Sequence, residues 1–151
     1  MGKEKKKSLS ARKYLEQLQE LDISISQDLE LLEGMKIHAC STGGTDYSRE
    51  RVQTSLSGDR LCSDVSSYVV FDERITDEIH KFTEAKNQII SEIRGLHDKH
   101  YIQVLFKVYV QFKSIRQASK EMKMSYSYVI ELHKKALAEF ERTYKNLYYL
   151  M

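Results

Sequence analysis

A chain of 151 residues with no proline and six glycines has room for one medium domain or a small domain with a helical arm, and it lacks the breakers that punctuate sheet proteins. No apolar run reaches the roughly 20 residues that span a bilayer, and the start MGKEKKK leads into an amphipathic stretch rather than a signal-peptide core, so the expectation is a cytoplasmic protein with no membrane contact. The formal charge of +2 is unevenly divided: residues 1–13 carry net +5, residues 14–97 net −8 and residues 98–151 net +5, which draws a polyanion to the ends and repels it from the middle.

Residues 1–9 read as a basic flexible arm. From about Ser10 to Ile37 the positions Leu15, Leu18, Asp22, Ile25, Leu29, Leu32 and Lys36 alternate steps of three and four. The same alternation returns at Leu61, Val65, Tyr68, Asp72, Ile75, Ile79, Phe82, Lys86, Ile89, Ile93 and Leu96. Two seams with a coiled-coil period predict two long amphipathic helices. Between them, residues 41–60 are rich in Ser, Thr, Gly and Asp and read as a long loop; its RVQTS string (Arg51 to Ser55) is either packed on the helices or a partner contact.

The simplest burial for both stripes is an antiparallel hairpin spanning residues 10–97. One register pairs Asp22 with Lys86, Lys36 with Asp72, Leu29 with Ile79, Ile25 with Phe82 and Leu32 with Ile75. The same stripes could instead pack on a second subunit, making the arm a homodimer device. Cys40 and Cys62 are too few and too far apart for a disulfide framework, and with His38 they lack the paired spacing of a zinc site, so neither a metal nor any other cofactor is expected.

Residues 98–151 change to shorter elements. A helix from about Asp98 to Gln111 turns Ile102, Leu105, Phe106 and Tyr109 inward and breaks near Phe112 and Lys113. Ser114 is placed to cap a short helix, IRQASKEM, and Ser125 to cap a third with Val129, Leu132, Ala136, Leu137 and Phe140 inward. Ala118 and Ser119 are small enough for a close helix crossing, while Met122 and Met124 cover the turn. This is the outline of a helix-turn-helix.

The segment ASKEMKMSYSYVIELHKKALAEF resembles the C-terminal promoter-reading domain of sigma factors, with its capping Ser, its aliphatics Val129 and Leu132 and its basic-Ala-Leu run, Lys135 to Leu137. The whole chain is similar to small phage-encoded proteins of Gram-positive hosts that join a helical N-terminal half, an RVQTS-like loop and a sigma-like helix-turn-helix. The C-terminal half resembles late-gene regulators of the ArpU type. Lys123 stands where such turns carry Gly or Asn, Ser119 where they carry Ala, and Tyr126, Ser127, Tyr128 and Glu131 where sigma-like domains commonly place Arg.

The resemblance implies a phage or prophage transcriptional regulator that binds double-stranded DNA, with RNA polymerase as a further partner. Ser125 would position the reading helix, Tyr126, Ser127, Tyr128 and Glu131 would contact bases or backbone, and Arg116, Lys134 and Lys135 would neutralise phosphates. Of Tyr126 and Tyr128, two residues apart, at most one can face the core; Lys134 and Lys135 also fit a merely solvated face. The alternative is a protein adaptor that does not read DNA sequence. No phosphate loop, HExxH helix or nucleophile elbow occurs, and His97 and His100 lack acidic partners of matching spacing, so no catalytic site is expected.

Overall fold

The computed structural model describes residues 8–41 and 57–150, with side chains at 8–38 and 65–150. In order come α1 (Ala11–Ser41), α2 (Ser57–Arg94), α3 (Lys99–Leu105), a π-helical turn (Phe106–Val110), α4 (Ile115–Met122) and α5 (Tyr126–Thr143). The described residues contain no strand, so the protein is all-α. None of these helices is long and apolar enough to cross a membrane. Residues 1–7 of the basic arm, the RVQTS string and the cysteine side chains lie outside what is described.

The chain forms two compact units, Met1–Asp22 with Lys81–Met151, and Ile23–His80. The first is built on one apolar cluster. Tyr14, Leu15 and Leu18 come from α1, and Ala85, Ile89 and Ile93 from α2. Val104 and Leu105 of α3 and Val129, Leu132, Ala136 and Phe140 of α5 complete it. Phe140 is fully buried, with ring centroids 6.0 Å from Tyr14 and 4.9 Å from Tyr144. Burying such a ring is worth about 2–3 kcal/mol.

Each break in this unit has a local cause. Asp98 accepts from the His100 N–H at 2.8 Å and starts α3. The π turn then spends one extra residue per bond, Gln111 N donating to Phe106 O, and so rotates the chain. That insertion brings Val110 inward beside Tyr109: Leu105 and Tyr109 are buried as predicted, Val104 and Val110 join them, and Ile102 and Phe106 pack half-buried against the same cluster. The chain after the π turn stops at Phe112, whose φ of 55° is left-handed. Residues 144–150 follow α5 outside any helix and bond back to residues 8–17. Leu9 N donates to Leu147 O at 2.8 Å, and Leu150 N to Gln17 Oε1 at 3.0 Å.

The second unit contains residues 23–41 of α1 and 57–80 of α2. Its more buried positions are Ile25, Asp28, Leu32 and Met35 on α1 and Tyr68, Phe71, Ile75 and Glu78 on α2. The alternation of three and four is therefore present, but every second position falls one residue before the expected one. Asp28 and Met35 replace Leu29 and Lys36; Phe71 and Glu78 replace Asp72 and Ile79. In the first unit Leu21 is half-buried beside Asp22, and Ala85 is buried beside a half-buried Lys86.

A stripe of period 3.5 on a helix of period 3.6 leaves two candidate edges; the one turned inward in the second unit exchanges Lys36 and Asp72 for Met35 and Phe71, and Leu29 and Ile79 for Asp28 and Glu78. The expected ion pairs accordingly do not form among the described residues. Asp22 and Lys86 are unbridged, Lys86 Nζ lying 5.8 Å from the Phe82 ring centroid, and Lys36 and Asp72 are exposed and unbridged. Asp28 is bridged instead, to Arg74 at 3.7 Å, and Arg74 stacks 4.6 Å from the Phe71 ring centroid.

Candidate nucleic-acid interface

The surface that the sequence singles out is carried by α4, α5 and the turn between them. Ser114 starts α4 with a reciprocal cap: its Oγ accepts from Gln117 N at 3.2 Å and its own N donates to Gln117 Oε1 at 3.1 Å. Ala118 and Ser119 are buried at the crossing, and the Ser119 hydroxyl is satisfied by donating to Arg116 O at 2.7 Å. Lys123 ends α4 in the left-handed region, φ 55° and ψ 40°, and Met124 N reaches back to Ser119 O at 3.0 Å. The side chain found where glycine is usual thus adopts the glycine conformation.

Ser125 caps α5 as expected, its Oγ accepting from Tyr128 N at 3.3 Å. Its hydroxyl is engaged with the backbone, so Ser125 positions the helix. Val129, Leu132, Ala136 and Phe140 are buried and Leu137 half-buried, which fixes the rotation of α5. At about 100° per residue, Ser127, Glu131 and Lys134 then lie centrally on the outward face, all exposed.

Tyr126 and Tyr128, about 200° apart, flank that face on opposite sides. Both are exposed, at 48% and 50%. Neither faces the core, because the first turn of α5 precedes Val129, its first buried residue. Lys135 follows on the Tyr128 side, and the Arg116 guanidinium lies 5.7 Å from the Tyr126 ring centroid on the other, within cation–π range. No acidic residue occupies the first turn of α5, leaving the positive end of its dipole uncompensated.

Two features behind this surface were not read from the sequence. Glu121 of α4 accepts from Lys107 and, at 2.7 and 2.8 Å, from Lys113. Those hydrogen bonds, Lys107 first, hold its carboxyl below the usual range. Two of the C-terminal lysines are thereby tied to one carboxylate rather than offered to a ligand, while Lys120 and Lys123 are exposed.

The second feature is His133, buried on the inner face of α5. Its Nε2 lies 2.8 Å from Tyr109 Oη, and the rings stack at 5.6 Å. Burial, reinforced by Arg12, pushes the imidazole pKa down, and burial pushes the Tyr109 phenol up to about 12. The two groups share a hydrogen bond whose direction is set by the imidazole tautomer. The available signal was spacing, since His133 falls four residues after Val129 and seven before Phe140.

His97 and His100 are both exposed, and among the described residues no group of three or more His, Cys, Asp or Glu side chains is arranged to hold a metal ion. Compared with known proteins, the chain matches no family, no curated protein and no solved structure.

Proposed function

We propose that this protein is a cytoplasmic, non-catalytic regulator of phage or prophage transcription. In this reading α4, the Lys123 turn and α5 form a sigma-like helix-turn-helix that binds double-stranded DNA, and α1 with α2 forms an antiparallel hairpin. The observation that carries it is the outward face of α5. A capped helix leaves Tyr126, Ser127, Tyr128, Glu131, Lys134 and Lys135 uncommitted to the core, with Arg116 beside Tyr126. A helix entering a major groove needs such a face: short polar side chains at its leading end for base edges and cations behind for phosphates. For the hairpin, support comes from Tyr14, which donates to Glu92 at 2.8 Å within the first unit, and from Asp28, bridged to Arg74 within the second.

The test is binding to random and phage genomic fragments across a salt series. The full chain should select a discrete site with a steep salt slope. Lys134→Ala with Lys135→Ala should weaken all sequences alike and lower that slope by up to about two units. An unchanged slope removes both lysines from the interface. One observation favours an adaptor that binds RNA polymerase or another protein: Glu121 engages two lysines, leaving exposed tyrosines prominent among the cations. Absence of DNA binding at low salt, with retention of polymerase, selects that reading.

A further inference from the structure

The second unit leaves most of its apolar surface uncovered. Among its described residues Ile75 is the sole buried side chain, whereas Ile23, Leu29, Leu31, Ile37, Val65, Val69, Val70 and Ile79 are exposed. A two-helix layer this lightly buried is normally completed by a further layer. The one-residue shift of the seam identifies which surface is organised for that purpose. Leu29 and Lys36 each follow an inward position of α1 (Asp28, Met35), and Asp72 and Ile79 each follow one of α2 (Phe71, Glu78). Both sets are rotated in the same sense, by about 70° from the centre of the seam, and because antiparallel helices run in opposite directions the same rotation brings both to one side of the pair.

That side carries Leu29 (43% exposed) and Lys36 on one helix, and Ile79 (38% exposed) and Asp72 on the other. The pattern is self-complementary. Turned about a two-fold axis parallel to the helices, a second copy lays its α2 over α1, bringing its Ile79 onto Leu29 and its Asp72 onto Lys36, and the symmetry repeats both contacts. Lys36 and Asp72 have no ion-pair partner within the described chain, so each is available. We infer that this face is the contact between two copies of the chain, with Leu29 and Ile79 at its centre and Lys36 facing the second copy's Asp72. The contact rests on the antiparallel pairing of α1 and α2 proposed above and is independent of whether α5 binds DNA.

The test uses sedimentation of the full chain across the micromolar range. The wild type should dimerise. Lys36→Asp and Asp72→Lys each place like charges opposite one another twice per dimer and should each weaken self-association by about tenfold or more, with helicity unchanged by circular dichroism. An equimolar mixture of the two variants restores every opposite pair between chains and should form a heterodimer with wild-type affinity. A monomeric wild type overturns the inference, as does a dimer that the single substitutions leave unaffected. If Lys36 and Asp72 instead pair within one chain, the double variant recovers while the mixture does not; that result overturns the intermolecular contact and leaves the antiparallel pairing standing.

Discussion

Gly95 lies where α2 ends, and the space above its Cα is taken. A Cβ built there would come 2.5 Å from Tyr144 Oη and 3.2 Å from Glu92 O. The same hydroxyl donates to Glu92 O at 2.9 Å, while its ring packs on the buried Phe140. Gly95→Ala must therefore move Oη by nearly an ångström to restore ordinary contact, which lengthens the hydrogen bond past usefulness. The lost bond costs about 1 kcal/mol, and disturbed packing of the tyrosine ring adds a comparable amount. Part of this is offset by the lower chain entropy of alanine in the unfolded state, about 0.4–1 kcal/mol. The net expectation is destabilisation by roughly 1 kcal/mol, read as a lowered urea midpoint at constant slope.

A double-mutant cycle sharpens the test. Tyr144→Phe alone loses the same hydrogen bond, but it also removes the atom that Cβ would strike. The double variant should be less destabilised than the sum of the singles by about 1 kcal/mol. Additivity within about 0.3 kcal/mol would refute the steric account of Gly95.

Three further outcomes follow from the local geometry. Lys123→Gly relieves a left-handed side-chain conformation and should stabilise the fold by about 0.5–1 kcal/mol in thermal denaturation; a loss of stability would mean that the lysine side chain contributes more than its backbone strain costs. Because the His133 pKa is lowered on folding, the unfolded chain takes up the proton first. Stability should thus be full above the unfolded value near 6.5 and fall as pH drops below it, and His133→Phe should flatten the melting-temperature profile over that interval. Ser125→Ala should cost about 1 kcal/mol of stability through the lost cap and weaken DNA binding equally for all sequences; a change in site preference would instead make Ser125 a base contact.

Composition and spacing carried the helical class, both Ser caps and the buried stripe of α5, because each depends on neighbours within a turn or two. They did not carry the seam register. Asp22, Lys36, Asp72 and Lys86 occupy heptad positions by counting, yet a 3.5-residue stripe on a 3.6-residue helix offers two edges, and in the second unit both carry charge, Asp28 and Glu78 on one and Lys36 and Asp72 on the other, so counting does not choose between them. The π turn was equally hidden, since nothing in FKVYV marks the extra residue that brings Val110 inward. At the candidate interface the positions were readable but their commitments were not. Glu121 reaches Lys113 across eight residues and Lys107 across fourteen, distances over which no helical spacing rule operates. His133 was concealed by its polarity inside an otherwise apolar stripe.

The bonds between Ser8 to Gln17 and Lys145 to Leu150 have a kinetic consequence. They join residues 133 to 139 apart in sequence, in a protein whose other hydrogen bonds are mostly local. Helices of this length form within microseconds, but closing so wide a loop is a late, entropically costly event. On a ribosome, Leu9 and Gln17 must therefore wait for these partners until residues 147 to 150 have emerged to meet them.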